Sequence, residues 1–512
     1  MVTLTVGLLL LLLLLHLLPL LVLLFSHKSS RINRRDSCGG RVLPPGPRPL
    51  PFIGNLHELI GQTIHIALRR LSKEHGSLMH LKLGTTSAVV ASSAEAASEI
   101  LRAQDANFCS RPRLAAVTRF SYGGLDIGTS PFGDRWKKLR RFAGAKMFGL
   151  HKVESFSWIR FQEVETLVSS VRSASSQGKL INLSEMALCL FNNIAYREVF
   201  SKRVSAEGDC TVSPHHGLIK EVMELMAGFN FGDFFPSLWW VDVLSGWKAK
   251  LDGRFREMDR TFDKEIQERL KNGLGRYEDF LDEILLRELE FDPSLGFHLS
   301  RNDVKALLMD MFLGGTDTSA VTLEWGMAEL MRNPAIRKKA QEEVRRIAGE
   351  EGRVEEKDIN QLHYLKMVIK ETLRLHPPTT LLAPHECMQD TKLQGYDVTA
   401  KTMAIINAWA IGRDPRSWDR PEAFWPERFE VRRVDFRGSS FELIPFGSGR
   451  RICPGMALGL AGIELAFANI LCHFDWDLPN GTTPEELDME ERFGLSTHRK
   501  KPLVLVAAIP RS

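Results

Sequence analysis

Four groups of residues have the types and spacing to do chemistry. The first is Phe446-Gly447-Ser448-Gly449-Arg450-Arg451-Ile452-Cys453-Pro454-Gly455. Gly447 and Gly449 let the backbone turn and lie close to a flat ligand. Arg450 and Arg451 raise the local positive potential and so favour the thiolate of Cys453. The start of the apolar helical run Met456 to Leu471 adds partial positive charge on the same side. A thiolate held under such a loop is a soft, strongly donating ligand suited to haem iron; the bland alternative is a glycine-rich surface turn with an incidental cysteine. The second group is Gly314-Gly315-Thr316-Asp317-Thr318-Ser319, inside a segment, Asp303 to Leu330, that reads as one long helix. Mid-helix glycines cost about 1 kcal/mol each relative to alanine, so either close helix packing or a function must account for the pair. The third is Trp136 with Arg140, four apart on one helix face, while Lys137 and Arg141 share another. The fourth is Glu371 with Arg374, three apart on one face of a predicted helix.

A long chain must position these groups. Its 512 residues are 44% hydrophobic and 25% charged, ample for a large core. The net charge of +4 is too small for wholesale nucleic-acid binding. Seven cysteines, none in a Cys-x-x-Cys pair, argue against a disulfide scaffold and for a reducing compartment. Gly7 to Phe25 is an apolar run long enough to span a bilayer, followed by His27, Lys28, Arg31, Arg34 and Arg35. No Lys or Arg precedes it, so it reads as an uncleaved single-span anchor rather than a signal peptide, with its basic flank and the rest of the chain in the cytosol. Leu43-Pro44-Pro45-Gly46-Pro47-Arg48-Pro49-Leu50-Pro51 reads as a stiff connector. The expected division is an anchor over 1–26, a basic and proline-rich hinge over 27–55, and one large domain over 56–512. Within it the spacing predicts a helix over 63–75, a hairpin over 77–91 turned near Gly84, a helix from Ser93, an irregular segment over 111–127 and mostly helix over 153–300. The aromatic run Phe229 to Trp240 fits core, a channel lining or a membrane contact equally.

The cysteine string resembles the ligand loop of the cytochrome P450 family, Phe-x-x-Gly-x-Arg-x-Cys-x-Gly: Phe446, Gly449, Arg451, Cys453 and Gly455 fill every fixed position. The proline hinge, Trp136-x-x-x-Arg140, Gly314 to Ser319, Glu371-x-x-Arg374 and Pro426-Glu427-Arg428-Phe429 resemble further motifs of the family, in its order. Strings such as Phe441-Glu442-Leu443-Ile444-Pro445-Phe446-Gly447 and His473-Phe474-Asp475-Trp476 resemble the plant microsomal A-type group.

The resemblance implies a mainly α fold with a minor β part around one haem b, behind an N-terminal single-pass transmembrane helix. It implies that Cys453 ligates the iron, that Trp136 and Arg140 hold a haem propionate, and that Arg451 of the cysteine loop also binds the haem. His385 stands where relatives commonly carry arginine; it can still donate one hydrogen bond, but its charge depends on pH. Thr318 would hydrogen-bond bound oxygen and Asp317 would help bring protons, with Gly314 opening a groove. Glu371, Arg374 and Arg428 would form a buried structural network. Thr379, Thr380, Leu381, Leu382 and Ala383, with Ser496 from the C-terminal part, would wall an apolar substrate pocket. Lys137, Lys138 and Arg141 would dock an acidic electron donor.

The implied reaction inserts one atom of O2 into a lipophilic specialised metabolite, a terpenoid in the first place, a phenylpropanoid or alkaloid in the second. Electrons come from NADPH through the NADPH–cytochrome P450 reductase of the endoplasmic reticulum membrane, with cytochrome b5 as an additional donor. Two alternatives stand beside it: an electron-independent isomerase or dehydratase of the same fold, whose members tend to lack the threonine at 318, and a non-catalytic haem-binding membrane protein.

Overall fold

A computed structural model describes residues 41–205, 214–275 and 279–510; the apolar run at Gly7 to Phe25 lies outside them. Ten longer helices carry the site: α1 (Ile64–His75), α2 (Asp134–Lys146), α3 (Ser157–Ser176), α4 (Leu183–Phe200), α5 (Trp247–Asn272), α6 (Arg301–Gly315), α7 (Asp317–Arg332), α8 (Pro334–Ala348), α9 (His363–Leu375) and α10 (Met456–His473). α7 buries side chains around its whole circumference, Val321, Leu323, Trp325, Met327 and Leu330 among them, as a helix at the centre of a large core must. It shares one apolar cluster with α3, α4, α8, α9 and α10. A second cluster lies under α2, α5 and α6. Among the described residues α10 is long and apolar enough to cross a membrane, but Ile463, Leu465, Phe467 and Ile470 bury it in the first cluster.

The hairpin β1 (Leu78–Leu83) and β2 (Thr86–Ala91) belongs to a four-stranded sheet with β3 (His385–Glu386) and β4 (Met403–Ile406), in the order β1-β2-β4-β3. β2 runs antiparallel to β1 and parallel to β4. Its two faces meet different clusters, Val89 and Ala91 on one and Ala88 and Val90 on the other. That is why Ala88 to Ala91 run apolar without alternation. The proline-rich segment is no free connector where it is described. His80 N–H donates to the Pro45 carbonyl (2.8 Å), and Asn55 N–H to that of Lys82 (2.5 Å), so the segment lies along β1 as part of the body.

The segment expected as one helix from Asp303 to Leu330 is two. It begins at Arg301, behind a capping box in which Ser300 and Asp303 satisfy each other's backbone N–H groups. It breaks at Thr316 (φ −91°, ψ −68°) between α6 and α7. There Thr316 Oγ1 donates to the Phe312 carbonyl and Thr318 Oγ1 to that of Gly314, both at 2.7 Å. Side-chain hydroxyls thus take carbonyls beside a pair of glycines, a recognised cause of helix kinks. The irregular segment over 111–127 contains one short helix, Ala115–Phe120, and the aromatic run divides into Phe231–Phe234, Pro236–Leu238 and Trp239–Leu244.

Candidate active site

The cysteine loop is closed by its own backbone: Cys453 N–H donates to the Phe446 carbonyl at 2.9 Å. Gly449 has φ +66°, and a Cβ there would lie 2.4 Å from the Leu101 carbonyl oxygen and 2.7 Å from Asp105 Oδ1. Only glycine fits that approach. Gly455 ends the loop as the residue before α10. Phe446 packs edge-on against Phe436, ring centres 5.4 Å apart. The two loop arginines part company. Arg450 faces outward and pairs with Asp105 at 2.6 Å. Arg451 turns inward, donating to the carbonyls of Cys109 (2.7 Å), Ser130 (2.6 Å) and Ile127 (3.2 Å), with its guanidinium 3.9 Å from the centre of the Trp136 ring.

Trp136 Nε1 donates to the same Ile127 carbonyl at 2.9 Å, and Arg140, one turn on along α2, donates to that of Ile452 beside Cys453. The thiol is therefore perturbed differently from the sequence expectation. Burial pushes it up, while the Gly455 N–H and the charge of Arg140, not of Arg450 or Arg451, pull it down.

His385 is buried at the head of β3, with Nδ1 2.7 Å from the Phe108 carbonyl. A carbonyl cannot donate, so Nδ1 carries the proton. The neutral ring then presents Nε2 only as an acceptor, and the imidazolium alone could donate to a carboxylate. Burial and the nearby Arg111 and Arg451 hold its pKa well below the usual histidine value.

At the break between α6 and α7, a Cβ on Gly314 would meet nothing within 4 Å, so that face is open. Thr318 borders the opening. Asp317, at the first position of α7, is held by His498 Nε2 at 3.0 Å.

The expected pocket wall divides. Leu382, at φ +51°, reaches 3.9 Å from the site of a Cβ on Gly447. Leu381 packs instead with the hairpin cluster, and Thr380 Oγ1 faces Thr497 Oγ1 at 3.3 Å. Thr379 is half-buried, and Ser496 Oγ is enclosed without a hydrogen-bond partner. Leu495, Leu458 and Leu313 pack on the second core cluster. Behind the loop, Arg374 grips Glu371 with two bonds of 2.8 Å, and Arg428 Nε adds a third at 3.0 Å.

The family model for cytochrome P450 matches residues 44–506. The chain belongs to the cytochrome P450 family. It is 46% identical over 471 residues to phenylacetaldehyde oxime monooxygenase of Prunus mume, covering 91% of this chain and 88% of that one. It is 42% identical over 481 residues to 5-epiaristolochene 1,3-dihydroxylase of Nicotiana tabacum, covering 93% and 94%. A zebra fish cytochrome P450 solved with progesterone superposes with a TM-score of 0.73 at 25% identity, over 87% of this chain and 99% of that one. This P450 is thus a haem b monooxygenase of the plant A-type group. It uses O2, a lipophilic substrate and a redox partner that passes on electrons from NADPH.

The residues present fit haem on their own chemistry. Arg111, Arg140 and Arg451 converge near Cys453, yet each hydrogen-bonds only backbone carbonyls. None has a carboxylate within ion-pair distance among the described residues. Burial, first, lowers Arg111 to about 9 and Arg451 to about 10, with repulsion among the arginines acting the same way and the more distant charges of Asp126 and, for Arg451, Asp310 offsetting part of it. Buried cations without anions are costly; two propionates would relieve them. Arg111 escaped the sequence reading because Cys109-Ser110-Arg111-Pro112-Arg113 shows no period, and nothing in that string separates the buried Arg111 from Arg113. Asp126 and Asp310 were missed as well. Asp310 Oδ2 accepts from Ile127 N–H at 2.6 Å and Asp126 Oδ2 from Thr129 N–H at 2.9 Å. They clamp the loop whose Ile127 carbonyl serves Trp136 and Arg451, and burial with mutual proximity pushes the Asp310 carboxyl up.

Proposed function

We propose that Cys453 is the iron ligand of this P450 and that the enzyme inserts one oxygen atom into a lipophilic specialised metabolite. The convergence of three arginines, none ion-paired with a carboxylate among the described residues, around the glycine loop that holds Cys453 carries this reading. Bound there, haem with a thiolate ligand supplies the activation of dioxygen. Arg451, Trp136 and Arg140, with Arg111 added, would hold the propionates; His385 would lie beside them as the neutral ring, its Nδ1–H spent on the Phe108 carbonyl. Phe446, Gly449 and Gly455 shape the loop around the sulfur. Gly314 opens the groove, Thr318 would hydrogen-bond oxygen there once its hydroxyl leaves the Gly314 carbonyl, and Asp317 would bring protons to it. Glu371, Arg374 and Arg428 hold the scaffold. Gly314, Thr379, Leu382 and Ser496 bound the substrate space, with Thr380 and Leu381 behind them.

A terpenoid is the first substrate class, a phenylpropanoid or alkaloid the second. The relatives' names span phenylacetaldehyde oxime and 5-epiaristolochene, so a few pocket side chains decide.

The proposed donors are NADPH–cytochrome P450 reductase and cytochrome b5, docking on α2, where Lys137, Arg141 and Lys146 are exposed. The proposed location is the endoplasmic reticulum membrane, single-pass through residues 1–26, with the catalytic body in the cytosol. Phe52, Ile60, Trp239 and Leu244 are exposed at 84%, 73%, 61% and 77%. Their segments meet where Gly84 N–H donates to the Ile53 carbonyl and Thr85 N–H to that of Phe234. One apolar face of this kind suits a bilayer surface.

Microsomes containing the protein and reductase, fed extracted plant metabolites with NADPH, should yield a product heavier by one oxygen atom. Cys453→Ser should abolish both the product and the red-shifted carbon-monoxide band of the reduced protein. A native band with no NADPH-dependent product would favour the non-catalytic reading; turnover without reductase would favour the isomerase.

A further inference from the structure

His498 lies outside every motif that identified the family. It stands on a two-residue strand, β6 (His498–Arg499), paired antiparallel with β5 (Glu491–Arg492). Its neighbours fix it. The Thr497 carbonyl accepts from Trp325 Nε1 at 2.9 Å, and Arg499 Nη2 donates to the Asp488 carbonyl at 2.7 Å. The ring bridges two carboxylates of α7, with Nε2 3.0 Å from Asp317 Oδ2 and Nδ1 3.9 Å from Glu324 Oε2. Glu324 is tied to α4 through Ser184 Oγ, which in turn accepts from Leu503 N–H at 2.7 Å. Exposure falls along the line: the His498 side chain is 25% exposed, Asp317 11% and Glu324 5%.

We propose that His498 is a positioning residue that recharges Asp317 with protons from solvent, acting as the outer step of the delivery route to the oxygen groove. The inference rests on the proton-bringing role proposed above for Asp317. In the step, the imidazolium gives its Nε2 proton to Asp317 Oδ2. The carboxylate becomes the neutral acid; once it has passed that proton to the groove, the vacant Nε2 takes a proton from a hydronium ion of the solvent, leaving water. Charge and atoms balance, and no oxidant or reductant is involved. Histidine suits this post because its ordinary pKa lets it release and regain a proton near neutrality; arginine would hold the same ion pair but keep its proton.

The groups facing the ring agree with this assignment. Burial works to lower its pKa, but the hydrogen bond to Asp317 and the charges of Asp317 and Glu324 outweigh burial and raise it, against the opposing Arg492. The donor is therefore charged at low pH and lost as pH rises through the raised value.

The test uses haem-loaded protein whose carbon-monoxide band is native in every variant. Ring-labelled histidine NMR should show His498 titrating above its ordinary value, and Asp317→Asn should return it there. With the metabolite that native microsomes oxidise, His498→Gln should lower NADPH-driven product about tenfold. It should also remove the loss of rate at rising pH, and His498→Arg should do no better. A His498→Arg enzyme with native rate and pH profile, or a ring pKa indifferent to Asp317→Asn, overturns the proposal. If Asp317→Asn slows turnover while His498→Gln does not, this inference alone falls. If Asp317→Asn turns over normally, the role of Asp317 falls and takes the inference with it.

Discussion

Replacing Glu371 by alanine should uncouple the cysteine loop from the scaffold behind it. Glu371 has no exposed surface and receives four hydrogen bonds: Arg374 Nε and Nη2, Arg428 Nε, and Trp425 N–H at 2.7 Å. Without it, two buried guanidiniums face each other with no carboxylate between them. Breaking such a pair costs about 3–5 kcal/mol, and the orphaned Trp425 N–H adds about 1–3 kcal/mol. Set against a total stability of about 5–15 kcal/mol, that is a large share. Both arginines also grip the chain between α9 and the cysteine loop: Arg374 holds the carbonyls of Gly412, Pro421 and Ala423, and Arg428 that of Asp419. The damage should therefore reach the haem site although no residue of the network belongs to it. Holoprotein per total protein, read from the carbon-monoxide band, should collapse for Glu371→Ala. Denaturant unfolding of the purified fraction should show a loss of at least about 3 kcal/mol. Glu371→Gln, which keeps shape and one acceptor, should fall between. Whatever fraction of the Gln variant folds should couple NADPH to product normally. An alanine variant within about 1 kcal/mol of native, below the cost of any broken buried pair, and with full haem content would refute the argument.

Three further outcomes follow from buried charge. Arg111→Gln removes a buried cation that has no carboxylate, so the haem-free protein should gain resistance to denaturant while the loaded protein surrenders haem faster to a scavenging globin; unchanged haem loss would remove Arg111 from the site. Glu198 is raised to about 8 by burial, despite Arg160 at 3.4 Å. Arg160 has a second partner in Glu356 at 2.5 Å. Because the folded state holds that proton after the unfolded chain has lost it, stability falls as pH rises from about 4.5 towards about 8. Glu198→Gln should flatten that slope and cost less than about 1 kcal/mol at neutral pH, where the carboxyl it replaces is itself mostly protonated and neutral. His80 is depressed to about 4 by burial, first, and by Lys82. The unfolded chain takes up that proton first, so stability is full above about 6.5 and is lost as pH falls towards about 4. His80→Gln should soften acid unfolding in that window, and an unaltered acid limb would refute the assignment.

What the sequence revealed and what it hid divide along one physical line. Helices announced by apolar period, α1, α9 and α10, and the Gly84 hairpin were legible, because each is dictated by neighbours in the chain. The break at Thr316 was legible only in part: the glycine pair weakens the helix there, but only the hydroxyl bonds of Thr316 and Thr318 show where the turn is lost. Cys453, Arg451, Trp136 and Arg140 were legible as short strings. Arg111, Asp126, Asp310 and His498 were not, since each gains its meaning from a partner more than a hundred residues away or from an irregular loop. The direction of charge was misjudged for the same reason. Arg450 stands three residues from Cys453, yet spends its charge on Asp105.

That last difference bears on how the site is tuned. The arginine nearest to Cys453 in sequence is not the one that moderates its thiol; Arg140 does so from α2. The same α2 carries Trp136, which meets Arg451 and the Ile127 carbonyl, and Ile127 N–H is held by Asp310 of α6. The cysteine loop, α2 and α6 therefore meet at one residue, Ile127. A change of charge on any of the three reaches the other two through rigid, buried hydrogen bonds. With the electron donor on α2 and protons brought by Asp317, as proposed, such a junction would tie both deliveries to the geometry of a single loop.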